Sequence, residues 1–238
     1  MRHDAVTVPD TILQAQDVIF SYPGQTEVLS EASIRLQECE TVAITGPSGS
    51  GKTTLLHCLA GILQPASGKV VFLGERLDSA SERTRASQRL HHFGFVFQRG
   101  ELLRELTILE NIALPCRLLG KNRRAANAIA EETADTLGIG DLLGRRTWQV
   151  SGGELQRAAI ARAVAHRPAV VCADEPTGAL DDANAEAVGQ MLTALPGLYG
   201  ALLLVATHNA EMADRCQRRL TLSAGRLRED SAAGRAAL

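Results

Sequence analysis

ITGPSGSGKTT, residues 44–54, lies between an apolar run at 41–44 and an apolar segment that continues to residue 62. Its fixed positions match G-x-x-x-x-G-K-[ST] at Gly46, Gly51, Lys52 and Thr53. Glycines allow positive φ and a close backbone approach to a ligand, and the N–H groups of such a turn converge on an anion. Because flexible linkers are not flanked this closely by apolar elements, the stretch predicts a strand ending at residue 45, a phosphate-binding loop and a helix over 52–59.

The phosphate-binding interpretation gives the loop residues specific roles. Lys52 is predicted to bring a positive charge to the β- and γ-phosphates of a nucleoside triphosphate, and the Thr53 hydroxyl to ligate Mg²⁺. The helix that follows adds the positive end of its dipole at the same place. The residues predicted to surround the phosphates are Gly46, Pro47, Ser48, Gly49, Ser50, Gly51, Lys52, Thr53 and Thr54.

Two adjacent carboxylates end a second apolar run, AVVCAD at 169–174. A continuous apolar run is typical of a strand buried on both faces of a parallel sheet, and open parallel sheets bind ligands at the carboxyl ends of their strands. Asp174 is therefore predicted to hold Mg²⁺, directly or through water. Glu175 is predicted to orient and deprotonate an attacking water. The alternative is an ordinary Asp-Glu loop before a proline.

The stretch VSGGE at 150–154 has two compatible interpretations. Ser151 and Glu154 have the spacing of a capping box at the start of a helix. Gly152 and Gly153, however, place two glycines in the first turn, which costs about 1 kcal/mol each relative to alanine. This cost is explained if the backbone at the two glycines must come close to a ligand. The N-terminus of a helix is an anion-binding site. The stretch therefore predicts a second anion contact.

Three further residues are weaker candidates when each is taken alone. Gln98 follows the apolar run 93–97, and its amide is predicted to reach Mg²⁺ or the attacking water, although a surface position is equally open. His208 follows the apolar strand at 201–207 and is predicted to contact the γ-phosphate, although an isolated histidine is often structural. Tyr22 offers an aromatic face to a nucleotide base, or simply packs in its turn.

Composition limits the classes of protein that fit. The 238 residues suffice for one sizeable domain, and 45% of them are hydrophobic. The net charge of −2 argues against a general nucleic-acid binder. The five scattered cysteines without C-x-x-C spacing indicate buried reduced thiols. The polar N-terminus at 1–10 is unlike a signal peptide, and no apolar stretch reaches membrane length, so we expect any membrane role to depend on a partner.

The order of apolar runs predicts an α/β fold with a helical insertion. Short β-like runs at 11–37 precede the phosphate-binding strand, and a helical block at 81–166 separates two parts of the core. We predict one domain over 1–238, with core and β subdomain at 1–80 and 167–238, and a loose tail at 229–238. The individual elements expected are helices at 81–92, 123–138, 152–166, 182–195 and 209–216, with strands at 69–73, 93–98, 169–174 and 201–207 and a final hairpin at 218–227.

Together the motifs resemble those of ATP-binding cassette (ABC) ATPases, and the resemblance covers nearly the whole chain. In the family's terms they are the A-loop (Tyr22), Walker A (GPSGSGKT), the Q-loop (Gln98), the signature (VSGGE), Walker B (VVCAD) followed by Glu175, the D-loop ending at Asp181, and the switch His208. The resemblance implies a P-loop NTPase (RecA-like) core with an antiparallel β subdomain and an inserted helical subdomain. It implies ATP and Mg²⁺ as ligands, with Thr53, Gln98 and Asp174 on the metal.

The resemblance also implies partners. In this family two copies face each other head to tail, so Ser151, Gly152, Gly153, Glu154 and Asp181 would meet nucleotide across a homodimer interface. A permease in the membrane would hold the pair at the cytoplasmic face of the cell membrane, contacting the segment after Gln98, and no nucleic acid is expected. The basic stretch 117–126 is interpreted as a solvent-exposed surface, or alternatively as a contact with the anionic headgroups of membrane lipids.

A narrower resemblance is to the group that includes the macrolide exporter MacB, the lipoprotein-release ATPase LolD, the cell-division protein FtsE, and haem-exporter and bacitracin-resistance ATPases. It rests on DEPTGALD at 174–181 and ELLRELTILENIALP at 101–115. The resemblance implies efflux of a hydrophobic or toxic compound such as haem, a peptide or an antibiotic, or else lipoprotein release, with efflux favoured. An FtsE-like action on a cell-wall enzyme and a soluble ABC ATPase of DNA repair or translation are the alternatives. Val150, Glu154 and Leu155 depart from the common signature. Glu154 is common in this group, whereas Leu155 has no interpretation from the sequence.

Overall fold

The computed structural model describes residues 11–24 and 26–230. The N-terminal segment for which no signal peptide is predicted, and residues 231–238 of the predicted loose tail, lie outside these ranges. Within them the chain forms one mixed sheet built on parallel strands, one antiparallel sheet, and helices on both faces of the mixed sheet.

The six-stranded sheet forms the centre of the molecule, in the order β10-β9-β3-β8-β7-β6. All neighbours pair in parallel except β10, which pairs antiparallel with β9. Every residue of β3 and β8 is buried, as expected for strands covered on both faces. The strands are β3 (Thr41–Thr45), β6 (Phe93–Val96), β7 (Val170–Asp174), β8 (Leu202–Ala206), β9 (Arg218–Ser223) and β10 (Arg226–Glu229).

The four-stranded antiparallel sheet has the order β2-β1-β4-β5 and is the predicted β subdomain. β1 and β2 each have eleven residues and are joined by the turn that follows Ser21, as the sequence indicates. Irregular register along this pair bends the sheet over the core. The strands are β1 (Thr11–Ser21), β2 (Glu27–Gln37), β4 (Ser67–Phe72) and β5 (Glu75–Arg76).

Two apolar clusters lie on opposite faces of the six-stranded sheet. Along β3, Val42 and Ile44 point into the cluster shared with α1 and the antiparallel sheet, whereas Ala43 points into the cluster formed with the later helices. The helices are α1 (Lys52–Leu59), α2 (Glu82–His92), α3 (Ile108–Leu118), α4 (Arg123–Thr136), α5 (Gly152–Val164), α6 (Asp182–Tyr199) and α7 (Ala210–Asp214).

Most predicted elements lie within a few residues of their expected bounds, but α3 has no counterpart in the prediction. It begins at a complete capping box between Thr107 and Glu110. In addition, β6 lies within the predicted helical block 81–166 yet is an edge strand of the central sheet. We therefore propose that the helical subdomain begins after β6 and consists of α3, α4 and α5.

The predicted end of α6 near residue 195 is wrong. The helix continues through Pro196 and Gly197 to Tyr199. Proline removes only one hydrogen bond in this last part of the helix, and its ring is buried. The helix ends instead at Gly200, which has the left-handed conformation that closes many helices, and whose N–H bonds to the Pro196 carbonyl.

Four of the five cysteines are buried, but Cys39 is exposed, which corrects the expectation of buried thiols. Cys39 occupies the tight turn between β2 and β3 with φ of 57°, so its position follows from the turn and not from burial. None of the helices formed by residues 11–24 and 26–230 combines the length and the hydropathy that a membrane span requires.

Substitution of Gly94 tests the packing of β6 on α5. A Cβ at Gly94 would lie 2.2 Å from the backbone oxygen of Ala163. Gly94→Ala must therefore separate strand and helix, and we expect a loss of about 1–3 kcal/mol in the free energy of unfolding, measured by urea denaturation.

Gly197→Ala is the matched control. A Cβ at this helical position meets no atom within 4 Å. Alanine is the better helix former, so we expect a gain of up to about 1 kcal/mol. A loss of stability in Gly197→Ala would contradict the continued helix, and an unchanged Gly94→Ala would contradict the packing of β6.

Candidate nucleotide-binding site

The glycine-rich loop leaves β3 at the carboxyl edge of the central sheet and enters α1. Gly46 has φ of 149°, and a Cβ there would lie 2.4 Å from the Leu222 backbone oxygen. Gly51 precedes α1 with φ of 99°, and a Cβ there would lie 2.8 Å from a methyl group of Val28. Both the conformation and the surrounding backbone therefore require glycine at these two motif positions.

Lys52 lies at the first position of α1 and is only 7% exposed. Its ammonium group donates to the Gly46 and Pro47 carbonyls at 2.9 and 3.2 Å, and lies 3.8 Å from Glu175 Oε1. The loop backbone thus wraps around the cation. The arrangement keeps a buried positive charge at the N-terminal end of a helix, where an anion is attracted by both.

Asp174 ends β7, and its carboxylate faces the start of α1. Thr53 Oγ1 donates to Asp174 Oδ2 at 2.7 Å, whereas Asp174 Oδ1 is buried without a hydrogen-bond partner. Burial raises the pKa of Asp174 above its ordinary value, although the Thr53 hydrogen bond opposes this. A desolvated carboxylate oxygen beside a hydroxyl is the donor chemistry that Mg²⁺ prefers.

Among the described residues no group of three or more His, Cys, Asp and Glu side chains could hold a metal ion. The hydroxyl of Thr53 and the carboxylate of Asp174 are oxygen ligands of the kind that fit a hard cation such as Mg²⁺, which commonly keeps several waters and binds substrate phosphates. The orphaned oxygen of Asp174 is the observation that carries this fit.

Glu175 follows β7 with φ of 46°, an uncommon conformation for a residue with a side chain. Its Oε1 lies 2.8 Å from His208 Nδ1. Its Oε2 accepts from the Thr207 hydroxyl at 3.2 Å and from the His208 N–H at 3.3 Å. The ends of β7 and β8 therefore fix the carboxylate, and Thr207, which the sequence analysis did not single out, contributes to this. The sequence did contain a signal for Thr207, because it is a polar residue at the end of an apolar strand beside the loop.

Tyr22 lies in the turn after β1, across from the loop. Its hydroxyl is 3.3 Å from Thr54 Oγ1, and its ring meets Phe20 edge to face at 4.9 Å. The ring is thus held at the mouth of a cavity of about 380 Å³. The residues that line this cavity are Tyr22, Val28, Ser48, Gly49, Gly51, Lys52, Thr53, Thr54 and Glu175. Val28 was not found from the sequence, because an apolar residue in a strand carries no chemical signal.

Gln98 lies just after β6 and reaches the turn that follows Glu175. A Cβ placed on Gly178 would lie 3.1 Å from Gln98 Nε2. The structure therefore brings the Gln98 amide beside the carboxyl end of β7, on the side where Asp174 and Glu175 lie.

The VSGGE stretch forms the exposed N-terminus of α5 and does not line the cavity described above. Ser151 and Glu154 make the predicted capping box, with the Ser151 N–H donating to Glu154 Oε2 at 2.7 Å. Gly153 packs against α6, since a Cβ there would lie 2.0 Å from Asn184 Oδ1. Asp181 caps α6 by accepting from the Asn184 N–H at 3.0 Å. The two predicted cross-dimer motifs are therefore packed together within one chain.

Comparison with known proteins identifies the family. The family model described as ABC transporter matches residues 29–178. The ATP-binding protein LolD of the lipoprotein-releasing system of Shewanella oneidensis is 41% identical over 221 residues, 92% of this chain and 96% of the relative. The corresponding LolD of Shewanella sp. strain MR-7 is 40% identical over the same shares. The chain belongs to the ABC transporter family.

Solved cassettes share the fold. The dimeric structure of the bacterial ABC transporter cassette MJ0796 is 31% identical to this chain, with a TM-score of 0.84 over 92% of this chain and 98% of that one. The same cassette in a post-hydrolysis state with ADP and Pi has a TM-score of 0.82 at the same identity and coverage. The predicted ABC ATPase fold is confirmed, and so is the group of MacB, LolD and FtsE. This ABC cassette is a nucleotide-binding ATPase.

The desolvated carboxylate of Asp174 predicts a pH-dependent stability in this ABC cassette. A raised pKa in the folded state favours folding at low pH, and this contribution is lost as the pH rises through the raised pKa. Asp174→Asn removes the charge, so we expect the free energy of unfolding without nucleotide to increase at pH 7 by about 1 kcal/mol, because burying a neutral amide costs less than burying a carboxylate. The gain should shrink as the pH falls towards the ordinary range of an Asp carboxyl.

Urea unfolding at several pH values measures this difference. Glu131→Gln on the exposed face of α4 is the control, with an expected change within about 0.5 kcal/mol. A loss of stability in Asp174→Asn at neutral pH would contradict the inferred desolvation.

Proposed function

We propose that the chain is the ATP-hydrolysing subunit of a LolD-type transporter, working as a pair on the cytoplasmic side of a membrane permease. The observation that carries the proposal is the separation of two anion-binding helix ends within one chain. The phosphate-binding loop lies in the cavity, whereas the exposed start of α5 does not. A second copy placed head to tail would bring the start of its α5 to the open side of the cavity.

The residues of one chain supply the first half of the site. The N–H groups of the loop over 46–54 and the Lys52 ammonium bind the triphosphate, and Tyr22 supports the base. Lys52 donates here to two loop carbonyls, so binding the triphosphate exchanges these neutral acceptors for anionic ones, which form stronger hydrogen bonds. Thr53, Asp174 and Gln98 are the residues proposed to hold Mg²⁺, which supplies charge neutralisation at the phosphates when bound.

The hydrolytic residues lie at the adjacent strand ends. Glu175 accepts three hydrogen bonds from Thr207 and His208, so its carboxylate is oriented before a water arrives. In the proposed mechanism Glu175 orients and deprotonates the attacking water, and the His208 side chain contacts the γ-phosphate. His208 is therefore placed to link the base to the phosphate that leaves.

The second copy supplies the other half. Ser151, Gly152, Gly153 and Glu154 offer N–H groups and a hydroxyl at a helix N-terminus, and Asp181 lies beside them through Asn184. ATP held between two copies binds the closed pair better than the open one, and hydrolysis removes that difference. The dimeric MJ0796 cassette supports this arrangement.

A groove beside the helical subdomain supports docking of a permease. It lies between α3, β6 and α5, and its lining is largely apolar. Leu118 at its rim is 62% exposed. An amphipathic cytoplasmic helix of the permease would bury these side chains, in the way that helices commonly bind grooves. The apolar residues lining the groove include Ile62, Leu90, Phe93, Phe95, Phe97, Leu114, Pro115 and Leu118.

The cargo is proposed from the relatives alone. Both LolD relatives belong to lipoprotein-releasing systems and match nearly their whole length. This favours lipoprotein release over efflux of a toxic compound or an FtsE-like action on a cell-wall enzyme.

Glu175→Gln tests the motor. The amide cannot accept the proton of water, so we expect the rate of ATP hydrolysis to fall by at least about 100-fold. ATP binding remains, so the variant should accumulate as a dimer with ATP and Mg²⁺ in light scattering. Glu211→Gln, at an exposed position of α7, is expected to hydrolyse ATP like the wild type. Undiminished turnover in Glu175→Gln would exclude Glu175 as the base, and solitary subunits even with permease present would exclude the paired site.

Purification with its membrane partner tests the cargo. We expect the tagged chain to copurify with an integral membrane protein that has a large extracytoplasmic domain between its first two helices. In proteoliposomes, this complex should release an acylated lipoprotein to a soluble carrier when ATP is added, and the Glu175→Gln complex should not. Release of no lipoprotein, or copurification with ribosomes or DNA in place of a membrane protein, would contradict the assignment.

A further inference from the structure

The segment 97–103, here called the Gln98 loop, is attached to α5 by side chains that lie far away in the sequence. Gln156 Nε2 donates to the Phe97 carbonyl at 2.9 Å. Arg162 donates through Nη1 to the Glu101 carbonyl at 2.8 Å and through Nη2 to the Gly100 carbonyl at 3.1 Å. Three backbone carbonyls around Gln98 are thus bonded to one helix.

Two of these bonds, from Gln156 to Phe97 and from Arg162 to Gly100, are partly buried, whereas the bond from Arg162 to Glu101 is exposed. Gln156 is 1% exposed, and burial lowers the pKa of the Arg162 guanidinium. Hydrogen bonds from a charged donor are stronger than neutral ones, and a low local dielectric strengthens them further. The loop is therefore held to α5 by three long-range hydrogen bonds, two of which come from a charged donor.

Backbone contact adds to the hydrogen bonds. Gly100 has φ of 71°, and a Cβ there would lie 3.3 Å from both Leu155 Cγ and the Leu155 backbone oxygen. Leu155, which had no interpretation from the sequence, therefore packs on the loop from the second turn of α5. Its apolar side chain joins the core cluster of the helical subdomain.

The other end of the loop is bonded to the same subdomain. Asn111 on α3 is fully buried, and its side chain accepts from the Leu103 N–H at 2.8 Å and donates to the Leu103 carbonyl at 3.0 Å. The loop is thus fixed at both ends to the helical subdomain, whereas β6 joins it to the core. A movement of α5 is therefore transmitted to the loop beside Gln98.

We propose that Gln156 and Arg162 are positioning residues that make Gln98 follow α5. The proposal rests on the proposed function, in which Ser151 contacts the nucleotide bound by the second copy. Gln98 contacts the nucleotide bound by its own chain. Movement of Ser151 on binding at one site then displaces Gln98 at the other. The two sites of the pair are thereby coupled through the α5 side chains.

Removal of the Arg162 bonds tests the coupling. Arg162→Met keeps the buried stem and loses both donors. Misplacement of a group in the reacting site lowers rates by about 10- to 100-fold. We therefore expect kcat to fall by about 10- to 100-fold while the affinity for ATP stays unchanged. Because Gln98 would be displaced, the Mg²⁺ concentration for half-maximal activity should rise several-fold, as expected for a lost metal contact, and the Hill coefficient for ATP should fall towards about 1.

Conservative and control variants separate positioning from a purely structural role. Arg162→Lys retains one charged donor and should recover part of kcat, the Mg²⁺ dependence and the Hill coefficient. Arg124→Met, an exposed arginine on α4, should behave as the wild type. If Arg162→Met does not fold, Gln156→Met replaces it with the same expected changes.

Wild-type kcat, Mg²⁺ dependence and cooperativity in the folded variant would overturn the proposal. A fall in kcat that the Lys variant does not relieve, with parallel losses of ATP affinity and melting temperature, would also overturn it, because that pattern is structural. Absence of ATP hydrolysis by the wild-type pair would instead contradict the proposed function.

Discussion

The alignment of three parallel strand ends is the constraint on which the site depends. Ile44 and Asp174 both pair with Ala206, so β3, β7 and β8 end at one level of the sheet. The chain after β3 becomes the phosphate-binding loop, the chain after β7 brings Glu175, and the chain after β8 brings Thr207 and His208. A shift of one residue in either register would turn these side chains to the other face and separate Glu175 from the loop.

The groups collected at this edge are held by one another. The Lys52 ammonium, the Asp174 carboxylate and the Glu175 carboxylate are all removed from most of the solvent, and each has at least one polar contact from a neighbouring strand end or loop. Asp174 nevertheless retains one buried oxygen without a partner. A site of this kind gives up some stability of the free chain so that a ligand with cation and phosphates finds its partners in place.

The sequence predicted the parts of the fold whose signal is local. The glycine spacing and the apolar run before it fixed the bounds of α1, and continuous apolar runs located β7 and β8. The elements that were missed depend on context. α3 contains Pro115 and begins at a capping box within a segment that mixes polar and apolar residues. α6 continues through Pro196, although a proline ordinarily indicates the end of a helix. Cys39 was misjudged because its turn conformation decides its exposure.

The same division holds for the site. Motif spacing predicted which residues meet at the sheet edge, because each lies directly after a strand. It did not predict that Thr207 holds Glu175, or that Gln156 and Arg162 hold the Gln98 loop, since these contacts join segments 32 to 62 residues apart.

In the proposed pair, those long-range contacts would decide how the two halves of a nucleotide site communicate. α5 begins at the exposed helix end that includes Gly152 and passes under the Gln98 loop within one rigid helix. Gly153 packs on Asn184, so the start of α6 and its Asp181 cap must move with α5 as well. Displacement of one end of α5 must therefore displace the other end, because close-packed interiors transmit displacement instead of absorbing it. Two opposed copies would therefore open or close both sites together, which is the mechanical property that a motor acting on a membrane partner requires.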